Sequence, residues 1–181
     1  QPDSIELANK AKERFSFDEL FCLLMSSRLN KDENNKLESY KMSFDLEATK
    51  KIINNLPFKL TADQKIALWE IIQDFEKKTP MNRLLQGDVG SGKTVVAGLA
   101  SVQAYKNGYQ CAFLAPTEIL ASQHAETLND LLSPLGIKVG LLIGSLKAKA
   151  KKELQQRISN GEIDVVVGTH ALLQDAVLFR K

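Results

Sequence analysis

The chain has 181 residues, 44% of them hydrophobic and 25% charged, which suffices for one core of domain size plus an appendage. A net charge of only +2 gives no general basic footprint, so nucleic-acid binding would have to rest on local segments. No stretch approaches the roughly 20 apolar residues that cross a bilayer, no secretory signal opens the sequence, and the cysteines Cys22 and Cys111 have no metal-ligand spacing. The cytoplasm is the default location, with both thiols expected to be free and buried.

In chain order, residues 1–14 are polar. Ser16 with Glu19 reads as a capping box, and Phe15 with Leu20 as its hydrophobic staple, predicting a helix from Ser16 to Leu29 with Phe17, Leu20, Phe21 and Leu24 on one face. Residues 30–43 read as a loop or a frayed extension. A second helix is expected over 45–55, with Thr49, Ile52, Ile53 and Leu56 on one side, stopped by Pro57. Residues 1–56 therefore form a helical connector, and 57–181 a separate α/β domain. Thr61 opens a helix reaching Phe75, with Leu68, Ile71, Ile72 and Phe75 inward. Strands and helices then alternate: strand 83–86, helix 93–106, strand 110–115, helix 117–132, strand 137–143, helix 146–159 and strand 163–168. Repeated β–α units with apolar, β-branched strands predict a parallel sheet with helices on both faces, whose ligands belong at the C-terminal strand ends.

The most informative segment is Gly87-Asp88-Val89-Gly90-Ser91-Gly92-Lys93-Thr94, which fits the phosphate-binding loop pattern G-x-x-x-x-G-K-[ST]. A polyphosphate must be wrapped by main-chain N–H groups at close range, which glycine permits. Lys93 supplies a cation to the β- and γ-phosphates, and the Thr94 hydroxyl a ligand for Mg²⁺. The flanks support this reading. An apolar run precedes the loop, and Val95, Val96, Leu99 and Val102 follow at helical spacing until Asn107-Gly108.

Three more strand-to-helix junctions carry small or hydroxyl residues: Pro116-Thr117-Glu118, Gly144-Ser145 and Gly168-Thr169-His170. Together they could follow a nucleic-acid backbone; singly, Thr117 and Ser145 are ordinary helix caps. Thr61 with Gln64 is either a capping box or a presentation of the Gln64 amide to an adenine edge. Lys147, Lys149, Lys151 and Lys152 form a modest basic run that also fits a solvated face. His124, between Leu120 and Leu128 at helical spacing, reads as a packed helix residue rather than a metal ligand.

Five blocks in order over 57–172 closely resemble the bacterial RecG family of ATP-dependent DNA helicases: Leu60-Thr61-x-x-Gln64, Met81 through Thr94, Ala115 through Ala121 with Gln123-His124, Leu142-x-Gly144-Ser145-Leu146-Lys147 and Val167 through Leu172. Arg14 through Leu20 also resembles the connector ahead of that family's motor. The transcription-repair coupling translocases share the Gly-Asp-Val-Gly style of loop and are the nearest alternative; a P-loop-like binding module without nucleotide is the other.

The resemblance implies a superfamily 2 motor built from two RecA-like halves with ATP and Mg²⁺ in the cleft between them, driven along branched double-stranded DNA such as forks and Holliday junctions, in recombination and repair. A wedge domain would split the DNA, and the enzyme would work in the bacterial cytoplasm on the nucleoid, without a membrane partner. It assigns Gln64 to adenine, and Gly87, Asp88, Val89, Gly90, Ser91, Gly92, Lys93 and Thr94 to the nucleotide. Lys93 and Thr94 also carry catalysis, and Thr94 the metal. Pro116, Thr117, Glu118, Gly144, Ser145, Gly168, Thr169 and His170 fall to DNA tracking and coupling. The sequence lacks the family's acidic Asp-Glu box and its arginine finger. Residues 57–181 are therefore expected to be the N-terminal part of the first RecA-like domain, truncated, with an incomplete sheet. Such a piece is expected to bind ATP or ADP weakly and not to turn it over.

Overall fold

The computed structural model describes residues 4–44, 46–54, 56–174 and 177–180. They fall into two compact units, one reaching Tyr40 and including Lys77–Pro80, the other comprising Lys41–Glu76 and the chain from Met81 onward.

The first unit is dominated by helix α1, Ile5–Asn34. It starts earlier than the Ser16-Glu19 pattern suggests, because Ser4 is the N-cap and its hydroxyl accepts from Leu7 N–H at 3.2 Å. The intervening residues are good helix formers, supported by the Lys10–Glu6 and Arg14–Asp18 ion pairs, both 3.1 Å. Ser16 and Glu19 are therefore interior residues of a helix that is already running. No residue of α1 is buried, and Phe15, Phe17, Leu20, Phe21 and Leu24 are exposed. Cys22 is exposed too, contrary to the expectation of a buried thiol. Cys111 is half-buried, and burial pushes its thiol up to about 11. Among the described residues no helix is long and apolar enough to cross a membrane.

In the second unit, α2 (Leu46–Asn54) carries Ile52 and Ile53 onto the main core, joined by Phe44 and Leu56. Positions 45 and 55, the expected ends of this helix, lie outside the described residues. The preceding segment is pinned by long-range polar contacts. Ser43 N–H donates to Asn107 Oδ1 at 2.8 Å, the buried Gln103 amide donates to the Ser43 carbonyl, and Phe44 meets Trp69 edge-on at 5.4 Å. Residues 41–54 thus pack with the α/β unit, whereas the sequence pattern places them in the connector.

Helix α3 (Ala62–Phe75) is capped by Thr61 and turns Leu68, Ile71 and Ile72 inward. Then come α4 (Lys93–Lys106), β1 (Cys111–Leu114), α5 (Glu118–Leu132), β2 (Val139–Leu142), α6 (Ala148–Ser159) and β3 (Val165–Gly168), each within two residues of its expected bounds. The strands form a parallel sheet in the order β1-β3-β2, with Cys111 and Val139 both opposite Val165. Side chains alternate across the strand. Val165 and Val167 meet the core under α3, α4 and α5, while Val166 joins Leu142, Ile158 and Leu172 on the α6 side. All three valines are fully buried. The sheet is therefore covered on both faces, as a doubly wound α/β fold requires.

The expected strand 83–86 is not part of that ladder. Residues 81–88 are irregular, and no described strand pairs with them. Leu85 reaches the core while Leu84 is 86% exposed. What holds the segment is Arg83, bound to Asp74 at 2.7–2.8 Å and to Glu70 at 2.5 Å on α3. The hydrogen bond to Asp74 leads in holding the guanidinium charged.

Helices α4 and α5 pack tightly at Gly98, where a Cβ would stand 2.7 Å from Leu128 Cδ2 and 2.8 Å from Leu131 Cδ2. Gly98→Ala is therefore expected to cost about 1–3 kcal/mol of overpacking, offset by the roughly 1 kcal/mol that alanine restores in a helix. In a Leu128→Ala background the same change is expected to cost less; denaturant midpoints in a double-mutant cycle measure that coupling.

Candidate functional site

The loop before α4 is shaped by two residues in the left-handed region, Gly90 at φ 81° and Gly92 at φ 82°. A side chain is strained in this conformation. Between them the chain closes a turn, with Ser91 N–H donating to Asp88 C=O at 3.1 Å. Val89 at the tip is fully exposed. Gly92 then caps α4, and its carbonyl accepts from Val95 and Val96 at 3.0 and 3.1 Å. The N–H groups of Lys93 and Thr94, ahead of these two, lie at the positive end of the helix dipole.

Lys93 Nζ bends back over the loop and donates to the carbonyls of Gly87 and Asp88 at 2.8 and 2.7 Å. The ammonium group is thus held above the turn that the phosphate-loop pattern requires it to face.

Gln64 closes the other side. Its Oε1 accepts from Thr61 N–H at 2.9 Å while Thr61 Oγ1 accepts from Gln64 N–H at 3.2 Å, a complete capping box. Its Nε2 also donates to Ser91 C=O at 2.9 Å. A Cβ on Gly92 would stand 2.5 Å from Gln64 Nε2. The capping role is therefore present, and one amide ties the start of α3 to the phosphate loop. A cavity of about 420 Å³ lies here, lined by Thr61, Gln64, Leu85, Gly87, Ser91 and Lys93 among others. This is within the usual size range of a small-ligand site.

ATP fits this donor set: a tight turn made by left-handed Gly90 and Gly92, one ammonium group and a helix N-terminus. Among the described residues no cluster of three or more His, Cys, Asp or Glu could hold a metal ion. Magnesium would depend on the Thr94 hydroxyl together with phosphate oxygens and water, its usual habit beside polyphosphates.

The three other junctions follow β1, β2 and β3 and share the C-terminal edge of the sheet. Thr117 caps α5, accepting from Leu120 N–H at 3.3 Å. Pro116, Thr117, Gly144, Ser145 and His170 are exposed, and Thr169 is half-buried. Gly168 is buried and packs so closely on the Leu142 carbonyl that a Cβ there would collide with it. Glu118 points at the neighbouring junction, its Oε1 accepting from Ser145 N–H at 3.0 Å. The Ser145 hydroxyl, then the Ser145 and Gly144 amides, hold its carboxyl below the usual range. Within the basic run, Lys151 is engaged by Gln174 Oε1 at 3.1 Å.

The sequence reading misses three contacts. They are the Glu118 tie to Gly144-Ser145, the Arg83 anchor on Glu70 and Asp74, and the approach of His124 Nδ1 to Thr94 Oγ1 at 3.4 Å. Only the Arg83 anchor left a signal, since Glu70 and Asp74 stand four apart on one helix face.

The fold and the loop define the class, a RecA-like P-loop α/β domain. The DEAD/DEAH box helicase family model matches residues 61–181, and the chain belongs to that family. It is similar to the ATP-dependent DNA helicase RecG of Aquifex aeolicus, at 47% identity over 92% of this chain and 21% of the relative. The corresponding figures for RecG of Bacillus subtilis are 46%, 99% and 26%. A solved structure of RecG bound to a three-way DNA junction superposes with a TM-score of 0.85 at 43% identity, covering 99% of this chain and 25% of that one. A hypothetical ATP-dependent RNA helicase from Sulfolobus tokodaii, 24% identical over 74% of this chain and 38% of its own, shares the fold at a TM-score of 0.54. The chain thus spans only 21–26% of the length of these RecG relatives.

The Glu118 tie has a pH signature. A depressed carboxyl contributes stability that is present above its unfolded pKa, about 4.3 for glutamate, and is lost as pH falls through the lower folded value. The amide resonances of Gly144 and Ser145 are expected to titrate with a midpoint below about 4.3. In Glu118→Gln that titration should vanish from the NMR spectrum.

Proposed function

We propose that this chain is the nucleotide-gripping part of an ATP-dependent DNA helicase or translocase that remodels branched double-stranded DNA, such as forks and Holliday junctions, in recombination and repair. The observation that carries the reading is the turn through Gly90 and Gly92, which holds Lys93 over the loop carbonyls beside a cavity at the N-terminus of α4. The similarity to RecG at 43–47% identity directs the reading toward DNA rather than another polymer.

In this reading Lys93 exchanges its bonds to the Gly87 and Asp88 carbonyls for β- and γ-phosphate oxygens. Charge-assisted bonds to phosphate are stronger than bonds to neutral carbonyls, so the exchange is favourable. The amides from Gly87 to Thr94, through Asp88, Val89, Gly90, Ser91 and Gly92, line the polyphosphate. Thr94 holds Mg²⁺, which supplies charge neutralisation at the transferred phosphoryl group when bound. Gln64 reads the adenine edge. Pro116, Thr117, Gly144, Ser145, Thr169 and His170 lie along the DNA path, with Glu118 and Gly168 shaping the junctions from beneath. A second RecA-like half and a wedge domain would complete the motor, which would act in the bacterial cytoplasm on the nucleoid.

Calorimetric titration tests the grip. ADP binding is expected in the unaltered chain. In Lys93→Ala it should weaken by about 10–100-fold, the equivalent of one charge-assisted hydrogen bond at roughly 1.5–3 kcal/mol. Absence of ADP binding in the unaltered chain would point to a binding module that does not use nucleotide, and unchanged affinity in Lys93→Ala to a nucleotide held away from the loop. Gln64→Ala is expected to bring the ratio of ADP to GDP affinity toward one while leaving inorganic pyrophosphate binding in place.

A further inference from the structure

His124 sits on α5, outside the phosphate loop, and the sequence pattern treats it as packing. Its surroundings say more. Gly98 lets α4 and α5 approach until Leu128 fills the space where a Cβ would stand. One helical turn from Gly98 is Thr94, and one turn from Leu128 is His124. The tight crossing therefore brings these two side chains together, with Thr94 Oγ1 at 3.4 Å from His124 Nδ1 and both residues half-buried.

A hydroxyl has one proton and two lone pairs. When a lone pair faces a divalent cation, the O–H points away from the ion and needs an acceptor. The outer partners of metal ligands serve this purpose by fixing the ligand's orientation and raising its basicity. In the tautomer that carries its proton on Nε2, His124 offers such an acceptor at Nδ1.

We infer that His124 is a positioning residue for Thr94: its Nδ1 accepts a hydrogen bond from the hydroxyl and so turns an oxygen lone pair toward the magnesium of a bound nucleotide. The inference rests on reading the Gly87–Thr94 loop as a nucleotide site. It concerns the metal-dependent part of binding alone, because His124 reaches the site through the Thr94 hydroxyl.

The test uses this chain with ADP as the probe, titrated by calorimetry with magnesium present and again with a chelator. The magnesium-dependent gain in ADP affinity is expected to fall about 10-fold in His124→Leu, the low end for losing an outer partner of a metal ligand. Metal-free ADP affinity should stay at the unaltered value. His124→Asn, whose side-chain oxygen can take the place of Nδ1 as acceptor, is expected to restore most of the gain. Thermal unfolding of both variants shows whether the fold is kept. An undiminished magnesium-dependent gain in a folded His124→Leu overturns the inference. So does an equal loss in both variants, or a loss of metal-free binding as large as the loss with metal. If the unaltered chain fails to bind ADP under either condition, the nucleotide reading itself is overturned.

Discussion

Lys93 can face a polyphosphate only because the chain ahead of it passes through the left-handed region at Gly90 and again at Gly92. This backbone constraint fixes where α4 begins, and α4 fixes much else. Its first turn presents the N–H groups of Lys93 and Thr94 at the positive end of the helix dipole. Its second residue is Thr94. Its sixth residue is Gly98, where α5 is allowed to come close. From the opposite side, Gln64 reaches across to Ser91, so α3 braces the same turn. A Cβ at Gly92 would disturb both the left-handed turn and the Gln64 contact.

The rest of the domain holds that constraint in place. β3, with three fully buried valines, is the central strand, and the helices on its two faces form separate apolar clusters. The junctions after β1 and β2 are tied to each other by Glu118, whose carboxylate is stabilised by the hydroxyl and amides of the neighbouring loop. A carboxylate used in this way shapes the C-terminal edge of the sheet by gripping the backbone of the next loop.

Much of this was legible from residues alone, because periodicity and turn chemistry are local. The helices that begin near Thr61, Lys93 and Thr117, and the strands at 111–114, 139–142 and 165–168, follow from spacing and caps. What escaped depends on partners distant in sequence. A strand needs a neighbour, and the apolar run at 83–86 has none among the described strands. Ser16 and Glu19 have the chemistry of a helix start, yet Ser4 starts the helix. Residues 41–43 look like loop or a frayed extension, and what holds them is distant: the Phe75 carbonyl and, some 60 positions away, the side chains of Gln103 and Asn107. The proximity of His124 to Thr94, 30 positions apart, depends on a helix crossing that no local pattern encodes.

The Gln64 amide is occupied at both ends, by the Thr61 N–H and by the Ser91 carbonyl. Each end has further capacity, since an amide carries two N–H donors and two carbonyl lone pairs. On the proposed reading, an adenine edge would therefore meet an amide whose orientation is already set by the start of α3 and by the loop. Little side-chain freedom would then remain to be lost when the base arrives, which is the advantage of a preorganised contact.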